Sequence, residues 1–263
     1  MHLRLAMRAG RYPEALPLKL FAIGDLHLPS AREKEMDRFG WIGHPAPLAS
    51  AWDEMVGPDD LVLILGDISW ATRPSEVTGD LEWIEARPGK KVLLKGNHDF
   101  WWPGSRKKLE ELLAPYPSVV GFLHNGSAFR HGPYVFAGVR GWTAPEAPGL
   151  EGVDAEIRME DPRPDLVERD AARLERSVEA AEALAEPDSI RIACMHFPPV
   201  YSGPKETRFT SIVEKFRPEV CVYGHLHGPG IGAGFSGELR GIRYELVSCD
   251  AANFRPVLVH ESP

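Results

Sequence analysis

Cysteine is scarce: Cys194, Cys221 and Cys249 are the only three in 263 residues, and none belongs to a CxxC pair. Each sits in an apolar, strand-like run such as "IRIACMHF" or "EVCVYG", which excludes a disulfide framework or a thiolate zinc knuckle and leaves three buried thiols. Long apolar runs are missing too. The opening "MHLRLAMRAGRYPEALPLKLFAIGD" carries Arg4 and Arg8 but no uninterrupted apolar stretch of a signal sequence. Nowhere does a run approach the roughly 20 residues of a membrane span, so a cytoplasmic protein with no membrane partner is the simplest expectation. Net positive charge is also absent. Thirty Lys plus Arg face 38 Asp plus Glu, a formal charge of −8, so no overall field collects nucleic acid or anionic lipid. Internal repeats and low-complexity tracts are lacking as well.

What remains is an ordinary globular composition, 43% hydrophobic and 26% charged, long enough to bury a large core. The default is one domain over residues 1–263, with a surface loop or small cap over 143–164, where Pro, Gly and acids concentrate. Short apolar runs alternate with helix-period segments. "LKLFAIGD" precedes a stripe of Leu48, Trp52, Met55 and Val56; "DLVLILGD" precedes Val77, Leu81 and Ile84; "KKVLLKGNHD" precedes Leu109, Leu112 and Leu113. This is a β-α-β-α-β rhythm. "YVFAGVRGW" adds a strand, and Pro164 to about Glu186 reads as one long helix with Val167, Leu174, Val178, Ala181 and Leu184 inward. "SIRIACMHFPP", a helix with Phe209, Ile212 and Val213, and "EVCVYGHLHG" follow. Two closing apolar runs with no helix between them predict a sheet that finishes antiparallel.

Five of the strand-like runs end in polar clusters: Asp25 and His27, Asp67, then Asn97 with His98 and Asp99, then His196, then His225 and His227. In α/β sheets ligands bind at the carboxyl ends of strands, so these clusters converge on one rim. Two carboxylates, an amide and four imidazoles make seven O or N donors without a thiolate. That exceeds one tetrahedral ion and suits two ions sharing a carboxylate, of the borderline class of Mn, Fe, Zn or Co. Glycine precedes Asp25, Asp67, Asn97 and His225, as a sharp exit from a strand requires. If the backbone stays extended there, Asp25 with His27 and His225 with His227 each face one side. Isolated histidines such as His2, His44, His124, His131 and His260 read as surface or satisfied core residues.

The ordered blocks D-x-H, G-D, G-N-H-D, H and G-H-x-H resemble the calcineurin-like metallophosphoesterase superfamily, and "GDISWA", "KGNHDFWW" and "SCDAANFRPV" resemble a bacterial branch of predicted phosphohydrolases. The resemblance implies a four-layer αββα sandwich of mixed sheets and a dinuclear metal centre, with manganese the first candidate. It implies that Asp25, His27 and His227 hold one metal, that Asn97, His196 and His225 hold the other, and that Asp67 bridges them. His98 would then stabilise phosphoryl charge or protonate the leaving oxygen, and Asp99 would orient that imidazole. The implied reaction is hydrolysis of a phosphomonoester or phosphodiester by direct attack of a hydroxide generated between the two metals. The second block continues "GDISWATRP" and lacks the acidic residue and arginine of the protein Ser/Thr phosphatases, which argues against that branch and for a small phosphorylated or nucleotide substrate.

Arg140, after a strand in "GVRGW", is a candidate phosphate contact, with a structural ion pair as the alternative. Trp101, Trp102 and Trp142 either wall the pocket or pack the core, and Lys95, inside its strand, reads as structural. Two other functions compete. A nuclease of the same superfamily would need a basic groove that the net charge does not advertise. A non-catalytic scaffold that only binds partners would show eroded ligands, and none is missing. Oligomeric state and native metal pair carry no sequence signal.

Overall fold

The computed structural model of the chain describes residues 17–30, 35–148 and 162–262. Its first half alternates strand and helix as the apolar spacing predicts: β1 (Lys19–Ile23), α1 (Pro45–Met55), β2 (Leu61–Leu65), α2 (Thr78–Glu85), β3 (Lys90–Leu94), α3 (Arg106–Leu113) and β4 (Val119–Leu123). A hairpin of β5 (Ala128–His131) and β6 (Tyr134–Val139) leads to α4 (Pro164–Leu184) and β7 (Ile190–Met195). The short strands β8 (Val200–Tyr201) and β9 (Lys205–Glu206), then α5 (Arg208–Phe216) and β10 (Val220–Tyr223), come next. After them run β11 (Gly237–Leu239), β12 (Ile242–Leu246) and β13 (Val257–Glu261). The expected cap over 143–164 falls mostly on 149–161, outside the described residues.

Two large mixed sheets result. One has the order β13-β1-β2-β3-β4, parallel except for β13, which runs antiparallel to β1 at the edge. The other has the order β11-β12-β10-β7-β6-β5, with four parallel central strands between two antiparallel edges. The closing runs therefore do not finish one antiparallel sheet. β12 pairs parallel with β10, after which the chain crosses to the first sheet, where Gly24 N donates to the Val247 carbonyl at 2.7 Å. Only β13 closes antiparallel. Strands β4 and β5 went unread in the sequence because most of their side chains are half-buried, which weakens the apolar pattern.

Side-chain alternation builds four layers. Leu20, Ala22, Leu61, Leu63 and Leu65 point between the sheets and meet Phe136, Ile192, Val220 and Val222. Their neighbours Phe21, Ile23, Val62 and Ile64 point the other way, onto Trp52, Leu81, Ile84 and Leu109 of α1, α2 and α3. On the far face Val135, Ala137, Ala193 and Cys221 pack on Val167 and Leu174 of α4 and Phe209 and Ile212 of α5. This is the αββα sandwich, with both sheets covered, and each fully buried Leu, Ile or Phe contributes about 1.5–3 kcal/mol of apolar burial. The three cysteines are buried and free. Leu184, expected to face inward, is exposed in the last turn of α4.

Candidate metal centre

The parallel strands β1, β2 and β3 of one sheet and β7 and β10 of the other all end at one rim, so the five polar clusters meet there. The backbone reaches it by left-handed turns, not by extended chain. Asp25 (φ 59), His27 (φ 44), Asp67 (φ 49) and His225 (φ 73) all have positive φ, which corrects the expectation of extended i, i+2 pairs. Such conformations cost about 1–3 kcal/mol each in non-glycine residues and persist where a site demands them. Of the four preceding glycines Gly66 (φ 89) takes a left-handed turn as expected, whereas Gly96 and Gly224 serve a different purpose. A Cβ on Gly96 would stand 2.0 Å from Asp67 Oδ1, and one on Gly224 would stand 2.4 Å from Asp25 Oδ2. Those two glycines leave room for the carboxylates, while the ligand residues themselves take the turn.

Within the rim, Asp25, His27 and His227 form one group, and Asp25, Asp67 and His196 a second, with ligand atoms in each lying within 4.8 Å of one another. The Asp67 carboxylate reaches toward both sides: its Oδ2 is 3.8 Å from His27 Nε2 and 3.4 Å from His196 Nε2. Asp25 Oδ1 lies 3.2 Å from His227 Nε2 and 3.9 Å from His196 Nδ1, and its two oxygens accept from the His225 amide. Asn97 Oδ1 is 2.7 Å from His196 Nε2. The His225 ring packs 5.3 Å from His196 and 3.9 Å from Phe197, whereas the His227 ring sits 5.3 Å from His27. The two histidines of "GHLH" thus face different neighbours.

Burial opposes charge throughout, and the pattern of what survives is informative. Burial, only partly offset by Asp67, lowers His27 to about 3. Burial would lower His196 and His227 as well, but Asp67 and Asp25 outweigh it at His196, raising it to about 9, and Asp25 and Asp250 raise His227 to about 10. Against burial, His227 and His196 hold Asp25 low, and His196 chiefly holds Asp67 well below the usual carboxylate range. The rim therefore favours positive charge between its carboxylates. The buried ring nitrogens His27 Nδ1 and His227 Nε2 have no hydrogen-bond partner among the described residues, although His227 Nε2 lies 3.2 Å from Asp25 Oδ1. Oxygen and imidazole donors, unsatisfied nitrogens and a field that draws in cations fit divalent metal ions.

Around the donors the structure adds residues that the sequence reading missed. Asp250 accepts from His227 Nδ1 at 3.2 Å and from the Gly228 amide at 2.8 Å. The Leu65 carbonyl accepts from His196 Nδ1 at 2.8 Å. Trp70 stacks on His27 at 4.8 Å, Trp41 meets His227 edge-on at 5.3 Å, and Phe254 packs on Trp41 at 5.1 Å. Asp250 and Phe254 both lie in "SCDAANFRPV", the one signal that could have found them. Of the three tryptophans weighed between wall and core, Trp101 and Trp102 pack in the core, Trp102 also lining a cavity with Lys95 and Arg140, and Trp142 stacks on Phe197 at 5.3 Å. His44, as expected of an isolated histidine, is buried with its Nε2 2.8 Å from the Leu26 carbonyl.

His98 lies beside the donors, its ring 5.7 Å from His27 and 5.0 Å from Trp70, and its amide donates to Asp67 Oδ1 at 2.8 Å. Its ring makes no hydrogen bond among the described residues. Asp99 does not orient that ring. Its fully buried carboxylate accepts from the amides of Ile68 (2.9 Å), Ser69 (3.3 Å) and Gly96 (2.8 Å) and from Trp101 Nε1 (2.9 Å), tying the turn after β2 to the turn after β3. Burial, with Asp67 beside it, raises Asp99 to about 6 despite those donors. Arg140 follows β6, with Nη2 3.5 Å from Asp170 and the guanidinium 5.0 Å over Trp142. Lys95 is not inside β3 but one residue past it, and lines a cavity with Arg140.

Known proteins resemble this chain at three levels. The profile of the calcineurin-like phosphoesterase family matches residues 18–229. A Gene 66 protein of Mycobacterium phage L5 is 41% identical over 108 residues, 40% of this chain and 50% of that protein. The match spans about half the length of the curated relatives. The crystal structure of phosphopantetheinyl hydrolase from Mycobacterium tuberculosis is 20% identical, with a TM-score of 0.53 over 93% of this chain and 97% of that one. The crystal structure of TT1561 from Thermus thermophilus is 14% identical, with a TM-score of 0.52 over 80% and 82%. At such identities the structural likenesses speak for the fold alone.

Proposed function

The chain belongs to the calcineurin-like phosphoesterase family, and we propose that it is a metal-dependent hydrolase of phosphoric esters that works with two divalent cations on a small phosphorylated molecule. The observation that carries the reading is the Asp67 carboxylate between His27 on one side and His196 on the other. Asp25, His27 and His227 would hold one cation, Asn97, His196 and His225 the other, and Asp67 both. Separate neighbours for the His225 and His227 rings support that division. Donors of oxygen and imidazole without thiolate favour manganese, with Fe, Zn and Co of the same class.

Two such cations would lower the pKa of a shared water and clamp a phosphoryl oxygen. The chain's own groups do the rest. His98, beside His27 with unengaged ring nitrogens, meets the phosphoryl group, where it neutralises developing charge or passes a proton to the leaving oxygen. Asp99 is a positioning residue, because its four donors fix the turns that carry Asp67 and Asn97. Trp41, Trp70 and Phe254 screen one side of the site from water.

The test is a screen of the purified, manganese-loaded chain against phosphomonoesters, cyclic nucleotides and nucleotide-linked diesters. Turnover of at least one class is expected, and a flat profile across all three contradicts the proposal.

A further inference from the structure

A cavity of about 400 Å³ opens at the same rim, between the ends of β3, β4 and β6 and the first turns of α4. Its charge is opposite to that of the chain as a whole. Among the described residues Lys95, Arg140, Arg169 and Arg173 line it with His124 around a single carboxylate, Asp170, in a protein of formal charge −8. Asp170 is fully buried and already engaged: Arg169 Nε donates at 2.9 Å, Arg173 Nη1 at 2.8 Å and Arg140 Nη2 at 3.5 Å. One carboxylate cannot neutralise three guanidiniums. The fourth cation, half-buried Lys95, has no hydrogen bond or ion pair among the described residues. Asp99 is the nearest carboxylate to act on it, without forming an ion pair, and burial still lowers the pKa of this ammonium, so an anion in the cavity would complete it.

The cavity adjoins the proposed metal centre. Lys95 precedes Asn97 by two residues, and the Arg140 carbonyl accepts from the amides of His196 (3.1 Å) and Phe197 (2.9 Å). The Arg140 guanidinium lies over Trp142, Trp142 stacks on Phe197, and Phe197 packs on the His225 ring. Guanidinium forks with a mobile ammonium suit the several oxygens of a phosphate better than a single carboxylate.

We infer that this cavity is a second phosphate subsite, so that the substrate carries two phosphate groups, one hydrolysed at the metal centre and one held by Lys95, Arg140, Arg169 and Arg173. The inference rests on the phosphoesterase reading above and names its substrate class. If the cations merely anchor α4 to the rim, they have no reason to distinguish one phosphate from two.

The manganese-loaded full chain is assayed on ribose 5-phosphate against ribose 1,5-bisphosphate, and on glucose 6-phosphate against glucose 1,6-bisphosphate. In at least one pair kcat/KM should favour the bisphosphate by about tenfold or more, as charge-assisted contacts to a second phosphate predict. Lys95→Gln, which breaks no hydrogen bond or ion pair among the described residues, should cut that preference about fivefold, chiefly through KM, with Arg173→Gln acting in the same direction. A ratio near one in both pairs, or a preference that Lys95→Gln leaves intact, overturns the subsite. Hydrolysis of p-nitrophenyl phosphate, which has no second anion, reads the phosphoesterase proposal separately. If that fails, calorimetric binding of the two bisphosphates still judges the cavity: binding weakened about fivefold by Lys95→Gln supports it, and no binding overturns it.

Discussion

The Asp250 carboxylate accepts a hydrogen bond from His227 Nδ1 at 3.2 Å, which turns Nε2 of that ring toward Asp25. A carboxylate behind a ligating imidazole fixes its tautomer and orientation and strengthens it as a donor. Asp250→Ala should therefore weaken metal affinity by about 10–100-fold, with activity returning at high manganese. Metal titration by calorimetry checks this. Unchanged affinity would mean that Asp250 serves only the Gly228 turn.

His98 is expected to separate chemistry from metal binding. With its ring beside the donors but outside both donor groups, His98→Ala should lower kcat by about 100-fold or more while leaving metal content near that of the parent. Elemental analysis beside steady-state kinetics reads both quantities. Loss of metal in that variant would make His98 part of the metal cradle.

Gly96 gives a steric test of the same centre. In Gly96→Ala the new Cβ meets Asp67 Oδ1 and, at 2.2 Å, the Asp67 amide, so the carboxylate proposed to bridge must shift. Metal content should fall sharply, alongside a stability loss of about 1–3 kcal/mol from overpacking. Gly232→Ala, which meets nothing within 4 Å, should retain metal, and equal losses in both variants would detach the effect from Asp67.

Buried Lys91 sets a pH dependence of stability away from the site. Its ammonium donates to the Arg87 carbonyl and Ser118 Oγ, yet burial, against the pull of Glu85, lowers its pKa from 10.5 to about 8. The folded state binds this proton less tightly than the unfolded chain. Below about pH 8 both states carry it and the cost of burying the charge stands; between the two values the unfolded chain holds more protons, so stability rises with pH. The Tm of Lys91→Met relative to the parent should accordingly fall by several degrees from about pH 7 to about pH 10. A difference independent of pH would contradict the shift.

The fold and the convergence of the polar clusters were legible because both rest on short-range pattern. Unbroken apolar strands such as Leu61–Leu65 announce a sheet covered on both faces, and polar residues at successive strand ends announce a shared rim. The backbone conformation of Asp25 and His225 was not legible. Extended and left-handed exits from a strand read alike in sequence, and two of the glycines expected to turn the chain, Gly96 and Gly224, instead make room for carboxylates. The partners of Asp99 were hidden for another reason. Its neighbour in sequence is His98, but its hydrogen bonds reach Ile68 and Ser69, some thirty positions away. Trp41 was missed and Lys95 read as structural for a like reason, since what the fold sets beside them is distant in sequence: the His227 ring in one case, the cavity with Arg140 in the other.

The central claim is that hydrolysis depends on two cations shared through Asp67. Manganese titration into chelator-treated chain, followed with p-nitrophenyl phosphate, tests it most directly. Hydrolysis should be absent after chelation and should recover to saturation at about two equivalents per chain. Full activity in the metal-stripped protein, or saturation at one equivalent, would contradict it.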